Sequence, residues 1–447
     1  MKKIHFSIDG TKHQNSLISQ ALDVAEAGID EVVPKKVIAN NVVFKNNNLS
    51  IDGKSFPVRS RLYVIGAGKA SALMAVAIEK ILPLEKISGG IINSNVSAKT
   101  KKIEIVNASH PIPDNSGIKG VKKILHLTRN LKENDIVLCL FSGGGSALLT
   151  LPVEGVSLSD LQKLTKKMIN GGVQVYEMQK VRKHLSQVKG GKLAEHLFPA
   201  QVISVVISDL INPQDVVAAG PLEPDLSTYK EAIYILKKYK LWPEVSQNIK
   251  EYLKRGVLGK IVETPKPGNK VFKNVKTFTL ANNKTALERM TQKVELMGYK
   301  SIVRKKPLLG DIKKASKEIA QEITELSKNN KNLTAYLYSS ELVVKNRGRG
   351  KGGRCQEHTA RVAQELQNKF NYTLLSVGSD GVDYLSGVAG AVVNQNTYQS
   401  WLDQQIDVSR HLRDNNSHLL HIASNTLVKG EKTGTNVGDI NVCLIKK

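Results

Sequence analysis

Phe141-Ser142-Gly143-Gly144-Gly145-Ser146-Ala147-Leu148 sets three glycines between hydroxyls where an apolar stretch, Ile136 to Phe141, gives way to a helix-compatible one. Glycine lets backbone N–H groups approach a ligand with no Cβ in the way, and a helix start adds orphan donors and partial positive charge. Such a loop binds an anion, phosphate or carboxylate, through Ser142, Gly143, Gly144, Gly145 and Ser146, without saying which anion. A second turn, Val64-Ile65-Gly66-Ala67-Gly68-Lys69-Ala70-Ser71, follows another apolar stretch. Ser71 stands where a dinucleotide fingerprint has its third glycine, and Ile91-Ile92-Asn93-Ser94 lacks the acidic residue that would hold a ribose. G-x-x-x-x-G-K-[ST] is absent as well, which leaves an anion-binding turn at Gly66 and Gly68 with Lys69 at the helix start.

Cations gather in Val181-Arg182-Lys183-His184-Leu185-Ser186-Gln187-Val188-Lys189-Gly190-Gly191-Lys192. A guanidinium forks onto oxyanions and lysine supplies a point charge, so Arg182, Lys183 and Lys189 suit a polyphosphate or a carboxylate; a solvated basic helix end would read the same way. Carboxylates stand where α/β sheets bind ligands, at strand C-termini: Asp209 after the Val202 to Ile207 stretch, Asp380 and Asp383 after Thr373 to Val377. Hard oxygen ligands of this kind hold Mg²⁺, and Asp is also an ordinary turn former. Arg347-Gly348-Arg349-Gly350-Lys351-Gly352-Gly353-Arg354 looks like an RGG tract, yet it is short and runs straight into Cys355-Gln356-Glu357. A loop bringing arginine to a charged ligand fits it better than an RNA arm.

The elements that must hold these residues follow from the hydrophobic pattern. Apolar strands at Arg61 to Ile65, Gly89 to Asn93, Ile103 to Asn107, Ile136 to Phe141 and Val202 to Ile207 alternate with helical patterns at Lys69 to Leu82, Asn115 to Leu131 and Leu158 to Ile169. That alternation predicts a doubly wound, mostly parallel α/β sheet covered on both faces. Before it lie an amphipathic segment, Leu17 to Ala27, and a hairpin predicted over Lys35 to Ile51 with its tip at Asn46-Asn47-Asn48. The polar stretch from Glu263 to Lys276 marks a boundary. We therefore expect one domain over 1–262 and a second, smaller α/β domain over 277–447, the latter opening with a strand at Thr277 to Ala281.

At 447 residues with 41% hydrophobic and 23% charged residues, the chain is long enough for two ordinary cores. No segment has the form of an export signal or a membrane span, and Cys139, Cys355 and Cys443 have no C-x-x-C spacing, so a reducing cytoplasm is expected. The net charge of +25 favours anionic partners. The lysines are spread over most predicted helices and aromatics make up only 5%, so a nucleic-acid platform is not expected.

Taken in order, GAGKAS, SHPIPDNSG, FSGGGSALL, VRKHLSQVKGGKLA, AAGPLEPD, RGKGGRCQE, GSDGVD, AGAVV and TGTNVGD make the chain resemble the glycerate 2-kinase family, with a Rossmann-like N-terminal domain and a MOFRL C-terminal domain. The resemblance implies transfer of the ATP γ-phosphoryl group to the 2-hydroxyl of D-glycerate, with Mg²⁺, in the cleft between the domains. It implies Lys69 and Arg354 as the important cations; beside them we expect Asp209 as a further catalytic group, Glu357 in the substrate set, and Asp380 and Asp383 toward the metal, the choice of base among the aspartates staying open. Other readings are a nicotinamide-dependent hydroxypyruvate reductase and a kinase of another small hydroxy acid. Neither membrane nor nucleic acid is an expected partner, and a homodimer is left open. The chain departs from the family pattern at Gln179, Ser339-Ser340-Glu341, Cys355, Gly387 and Leu210-Ile211-Asn212-Pro213, which makes it a divergent member.

Overall fold

The computed structural model describes residues 4–8, 17–208, 217–329 and 333–446, and the chain divides into two compact units, 34–281 and 1–33 with 282–447. In the first unit six strands form one sheet: β1 (Leu62–Ala67), β2 (Ile87–Ser94), β3 (Ile103–Asn107), β4 (Ile136–Ser142), β5 (Gln201–Ile207) and β6 (Val275–Ala281). Their spatial order is β3-β2-β1-β4-β5-β6, and every pairing is parallel. This is the doubly wound arrangement, and the order reverses between β1 and β4. β1 and β4 are buried along their whole lengths, which explains why both read as unbroken apolar runs rather than alternating ones. Ile65, Ile91, Val137, Cys139, Val202 and Val206 join one core with helices Asn115–Leu127 and Lys192–Leu197. A second core lies among helices Leu158–Asn170, Val175–His184, Tyr229–Lys238 and Gln247–Val257.

Asp135 anchors the sheet at the end away from the candidate loops. Its buried carboxylate accepts from Ser60 Oγ at 2.9 Å, Lys132 N at 2.7 Å, and the Arg61 Nε and Nη2 at 3.1 and 2.5 Å. Burial alone would push this carboxyl up, but those donors together override it and hold it at about 2, against an ordinary 3.8. A depressed native value contributes stability that is complete above the unfolded pKa and is lost as pH falls through the folded one. The Asp135→Asn variant is therefore less stable than wild type at pH 7, and the gap in thermal midpoint closes between pH 3.8 and about 2. Calorimetry across that range checks it; a pH-independent gap would show that the carboxylate's charge is not what stabilises this corner.

The second unit has a mixed sheet: β7 (Lys300–Val303), β8 (Leu308–Asp311), β9 (Thr334–Val343), β10 (Tyr372–Gly378), β11 (Val388–Asn394), β12 (Leu427–Lys429) and β13 (Asp439–Ile445). The order is β7-β9-β13-β10-β11-β12, with β8 also on β9. β13 runs antiparallel between β9 and β10, which sets Gly378 opposite Asp439.

Three expectations need correction. The strand expected to open the second domain is β6, the edge of the first sheet, paired with β5. Residues 1–33, expected in the first domain, belong to the second unit, where helix Leu17–Glu31 packs on β10, β13 and helix Asn283–Leu296. Gly28 permits that helix contact, because a Cβ there would lie 2.5 Å from Met290 Cγ. The expected hairpin over Lys35 to Ile51 is a helix, Pro34–Asn41, followed by a three-stranded antiparallel sheet, Val42–Lys45, Asn48–Ile51 and Lys54–Pro57. Its first turn, Asn46-Asn47, has positive φ at both residues, as a two-residue hairpin requires. No helix among the described residues is long and apolar enough to cross a membrane. All three cysteines are unpaired and buried.

Candidate functional site

In the first unit the loops after β1 and β4 leave the sheet side by side and are tied to each other. Lys69 N donates to Gly143 O at 2.9 Å, Ala70 N donates to Ser142 Oγ at 3.0 Å, and the Ser71 and Ser142 hydroxyls are 3.2 Å apart. Ser94 Oγ holds Gly68 O at 2.8 Å from the β2 side. Ser142 is fully buried, so its hydroxyl braces the two loops rather than facing a ligand. Packing also accounts for Gly66 and Gly68: a Cβ at either would sit 2.0 Å from Leu140 O or from Ser142 Oγ. Gly144, with φ +81, faces Lys69 and His110, which a Cβ would meet at 3.0 Å (Lys69 Cγ) and 3.1 Å (His110 Cδ2). Gly145 rests on Ala218. The helix expected after the glycines is one turn, Gly145–Leu148, too short for a useful macrodipole. Its first N–H groups still lack acceptors within the turn, so the loop's anion chemistry is local.

Helix Val175–His184 brings cations to this loop. Ser146 Oγ donates to Gln179 Oε1 at 2.7 Å and accepts from Arg182 Nη1 at 3.1 Å. Lys189, in the following turn, is buried and donates to Leu149 O. Burial, helped by the Arg182 and Lys192 charges, pulls the Lys189 pKa down to about 7, and burial alone takes Arg182 to about 10. Lys183 points elsewhere, to Asp225 at 3.2 Å, whose carboxylate also receives Ser227 N, Ser227 Oγ and Thr264 Oγ1. The structure thus brings together Lys69, the glycine loop, Ser146, Arg182 and Lys189, and leaves Lys183 in a separate ion pair.

The second unit gathers its own polar cluster where Gly378 faces Asp439. Arg354 Nε and Nη2 each reach a different Asp439 oxygen at 2.5 Å, a bidentate pair. The Asp439 charge raises the Arg354 pKa; burial, with Asp383 and Asp380 nearby, raises that of Asp439 despite the guanidinium. Asp383 accepts from Cys355 N at 3.1 Å, Gln356 N at 3.0 Å and Gln356 Nε2 at 2.9 Å, so both its oxygens cap helix Arg354–Leu366. Asp380 Oδ1 accepts from Val382 N at 3.2 Å. Glu357 pairs with Arg361 at 2.7 Å and accepts from Asn415 Nδ2. The glycine-arginine loop is tied down, its 347, 348, 349 and 351 N–H groups donating to Asp414, Asn415 and Asn416 side chains. His358 and His421 are fully buried, and burial takes them to about 3 and about 4, so they serve the core as neutral rings.

Among the described residues no group of three or more His, Cys, Asp or Glu side chains is placed to hold a metal ion. Asp209 lies outside the described residues. The residues that sequence reasoning left without a role are Gln179, His110, Asp225 and Asp439. His110, Asp225 and Asp439 sit in the quoted SHPIPDNSG, AAGPLEPD and TGTNVGD stretches, whose part in the family resemblance was their only signal.

Comparison with known proteins gives a consistent result. Residues 20–254 match the family described as a domain of unknown function, DUF4147, and residues 334–439 match the MOFRL family. The chain is 32% identical over 437 residues to the glycerate 2-kinase of Pyrococcus horikoshii, covering 95% of this chain and 98% of that one. It is 33% identical over 437 residues to the D-glycerate 2-kinase of Thermotoga maritima, covering 96% and 99%. The crystal structure of glycerate kinase from Thermotoga maritima superposes with a TM-score of 0.77 at 32% identity, covering 96% of this chain and 99% of that one.

Proposed function

The chain belongs to the glycerate 2-kinase family, in which a DUF4147 domain precedes a MOFRL domain, and from that premise we propose that it transfers the γ-phosphoryl group of ATP to the 2-hydroxyl of D-glycerate, giving 2-phosphoglycerate. The observation that carries this reading is the braced pair of loops at the β1/β4 reversal, with Lys69 over Gly144. Phosphoryl transfer demands positioning and charge stabilisation more than covalent chemistry, and this is what fixed cations beside orphan N–H groups supply.

In this proposal Lys69 meets the charge that spreads over the transferring phosphoryl oxygens. Ser142 keeps the two loops at fixed separation, so little reorganisation is needed when the charge moves. As the 2-hydroxyl oxygen bonds to phosphorus, the bond to the ADP oxygen breaks and the hydroxyl proton leaves to a carboxylate, the role kept here for Asp209. Arg354 is assigned to phosphate charge, with Asp439 fixing its fork. Asp380 fits as a carboxylate toward Mg²⁺, an ion that takes one or two carboxylates and completes its shell with phosphates and water. Asp383 is committed to its helix cap and fits less well. When bound, Mg²⁺ would neutralise charge between the β- and γ-phosphates. Asn93 stands where a dinucleotide site needs its ribose carboxylate, and it is buried with its amide on Gly117 O and Leu148 O, so nothing here favours the reductase reading.

The test is ADP release by the purified protein with Mg-ATP, with and without D-glycerate, the product's phosphate position being read by NMR. We expect glycerate-dependent release and 2-phosphoglycerate. Formation of 3-phosphoglycerate, or turnover only with another hydroxy acid, would replace the acceptor position or the acceptor.

A further inference from the structure

The first unit withdraws two cations from water, one buried and one half-buried, that no carboxylate among the described residues answers. Lys189 is 3% exposed, and its polar partner is the Leu149 carbonyl; Arg182 is half-buried by exposure and has Ser146 Oγ as its partner. Among the described residues neither side chain has an acidic group within ion-pair distance. Lys183, one residue from Arg182, shows the contrast: it is buried too, and it has Asp225. A cation withdrawn from water without a partner is costly, and the cost is relieved when it gives up its proton or when an anion joins it. Ser146 cannot fill that need, because it is neutral, with its proton on Gln179 and one lone pair on Arg182. It is a strut that aims the guanidinium.

Ser146, Arg182 and Lys189 line a cavity of about 30 Å³ whose other walls include Leu161, Leu164 and Met168. Such a volume suits one or two water-sized atoms. We propose that this cavity is the carboxylate subsite of the acceptor acid, its two oxygens seated between Arg182 and Lys189. The inference rests on reading the chain as a kinase of a small hydroxy acid, and assigns that acid's recognition to the Arg182–Lys189 pair, leaving the nucleotide phosphates to other groups. A planar, singly charged head matches a small cavity whose walls mix apolar side chains with Thr150, Thr165 and Ser186; a triphosphate, larger and multiply charged, does not. Gln179 then acts as a positioning residue, through Ser146.

The test uses the full-length protein, with wild type, Lys189→Met and Arg182→Gln compared by thermal shift and steady-state kinetics. The probes are D-glycerate, its neutral amide, and inorganic phosphate, with Mg²⁺ and a non-hydrolysable ATP analogue present. We expect glycerate but not its amide to raise the wild-type midpoint, and both variants to lose that shift. Lys189→Met removes a buried charge and should fold at least as well as wild type; Arg182→Gln gives an independent check. We expect the variants to raise KM for glycerate by roughly 100-fold while KM for Mg-ATP stays unchanged. A wild-type protein indifferent to glycerate, a shift with phosphate alone, an unchanged KM for the acid, or a raised KM for Mg-ATP would each overturn the assignment. If the wild type phosphorylates no hydroxy acid, the kinase reading falls, and the subsite is judged on the thermal shift alone.

Discussion

Lys69→Met should lower kcat by roughly 10²–10³-fold in a protein that still folds. The backbone of Lys69 is fixed by its N–H bond to Gly143 O, and its stem lies over Gly144. Methionine keeps that stem and adds no new volume to the loop while it removes the charge. If that charge acts mainly on the transition state, kcat and kcat/KM fall together and KM for Mg-ATP moves little. A rise in KM with kcat preserved would make Lys69 a ground-state binding group. Unchanged kinetics would remove it from the site.

Gly66→Ala has the largest expected effect on folding. The glycine sits inside β1, and its missing Cβ leaves the space taken by Leu140 O in β4, 2.0 Å from where the methyl carbon would be. The obstruction is backbone in a fully buried strand, which no side-chain rotation relieves. Overpacking of a core costs about 1–3 kcal/mol when side chains can shift, and more is expected here. Soluble yield and thermal midpoint should both drop sharply. A well-folded variant whose only defect is a raised KM for Mg-ATP would return Gly66 to the ligand.

These two positions show how far the sequence could be read. The strands β1 and β4 are buried from end to end, and β5 over all but its first residue, because helices cover both faces of the sheet, and the largely apolar pattern this imposes is local, so it was legible. Helices Val175–His184, Tyr229–Lys238 and Gln247–Val257 were not identified; each buries only part of its surface, against the others. The role of β6 was also hidden, since its pairing with β5 is settled by contacts remote in sequence.

In the site, Gly66, Gly68 and Ser142 are the residue types an anion loop needs and equally the types that two crowded backbones need. Composition cannot separate these demands; the 2.0 Å approaches do. Ion-pair partners were illegible for a different reason. Arg354 meets Asp439 across 85 positions and Lys183 meets Asp225 across 42, so a cation's availability for ligand depends on chain tracing that no motif encodes. That is why Lys183 and Lys189, close in sequence and both buried, end with different partners.

Helix Leu17–Glu31 is made early and belongs to a body completed late. Ala21, Leu22, Val24, Ala25 and Ile29 are buried in the finished protein, but β10 and β13, on which the helix packs, are synthesised only after all of 34–281. At 5–20 residues per second the ribosome takes on the order of 10–50 s to cover that interval. The nascent helix must keep its apolar face unsatisfied for that time, while the six-stranded sheet is closed by β6 before the other unit can form. A fragment cut at the boundary near residue 282 inherits the opposite defect, a sheet stripped of its covering helix, so dissecting this protein calls for a circular permutant rather than a truncation.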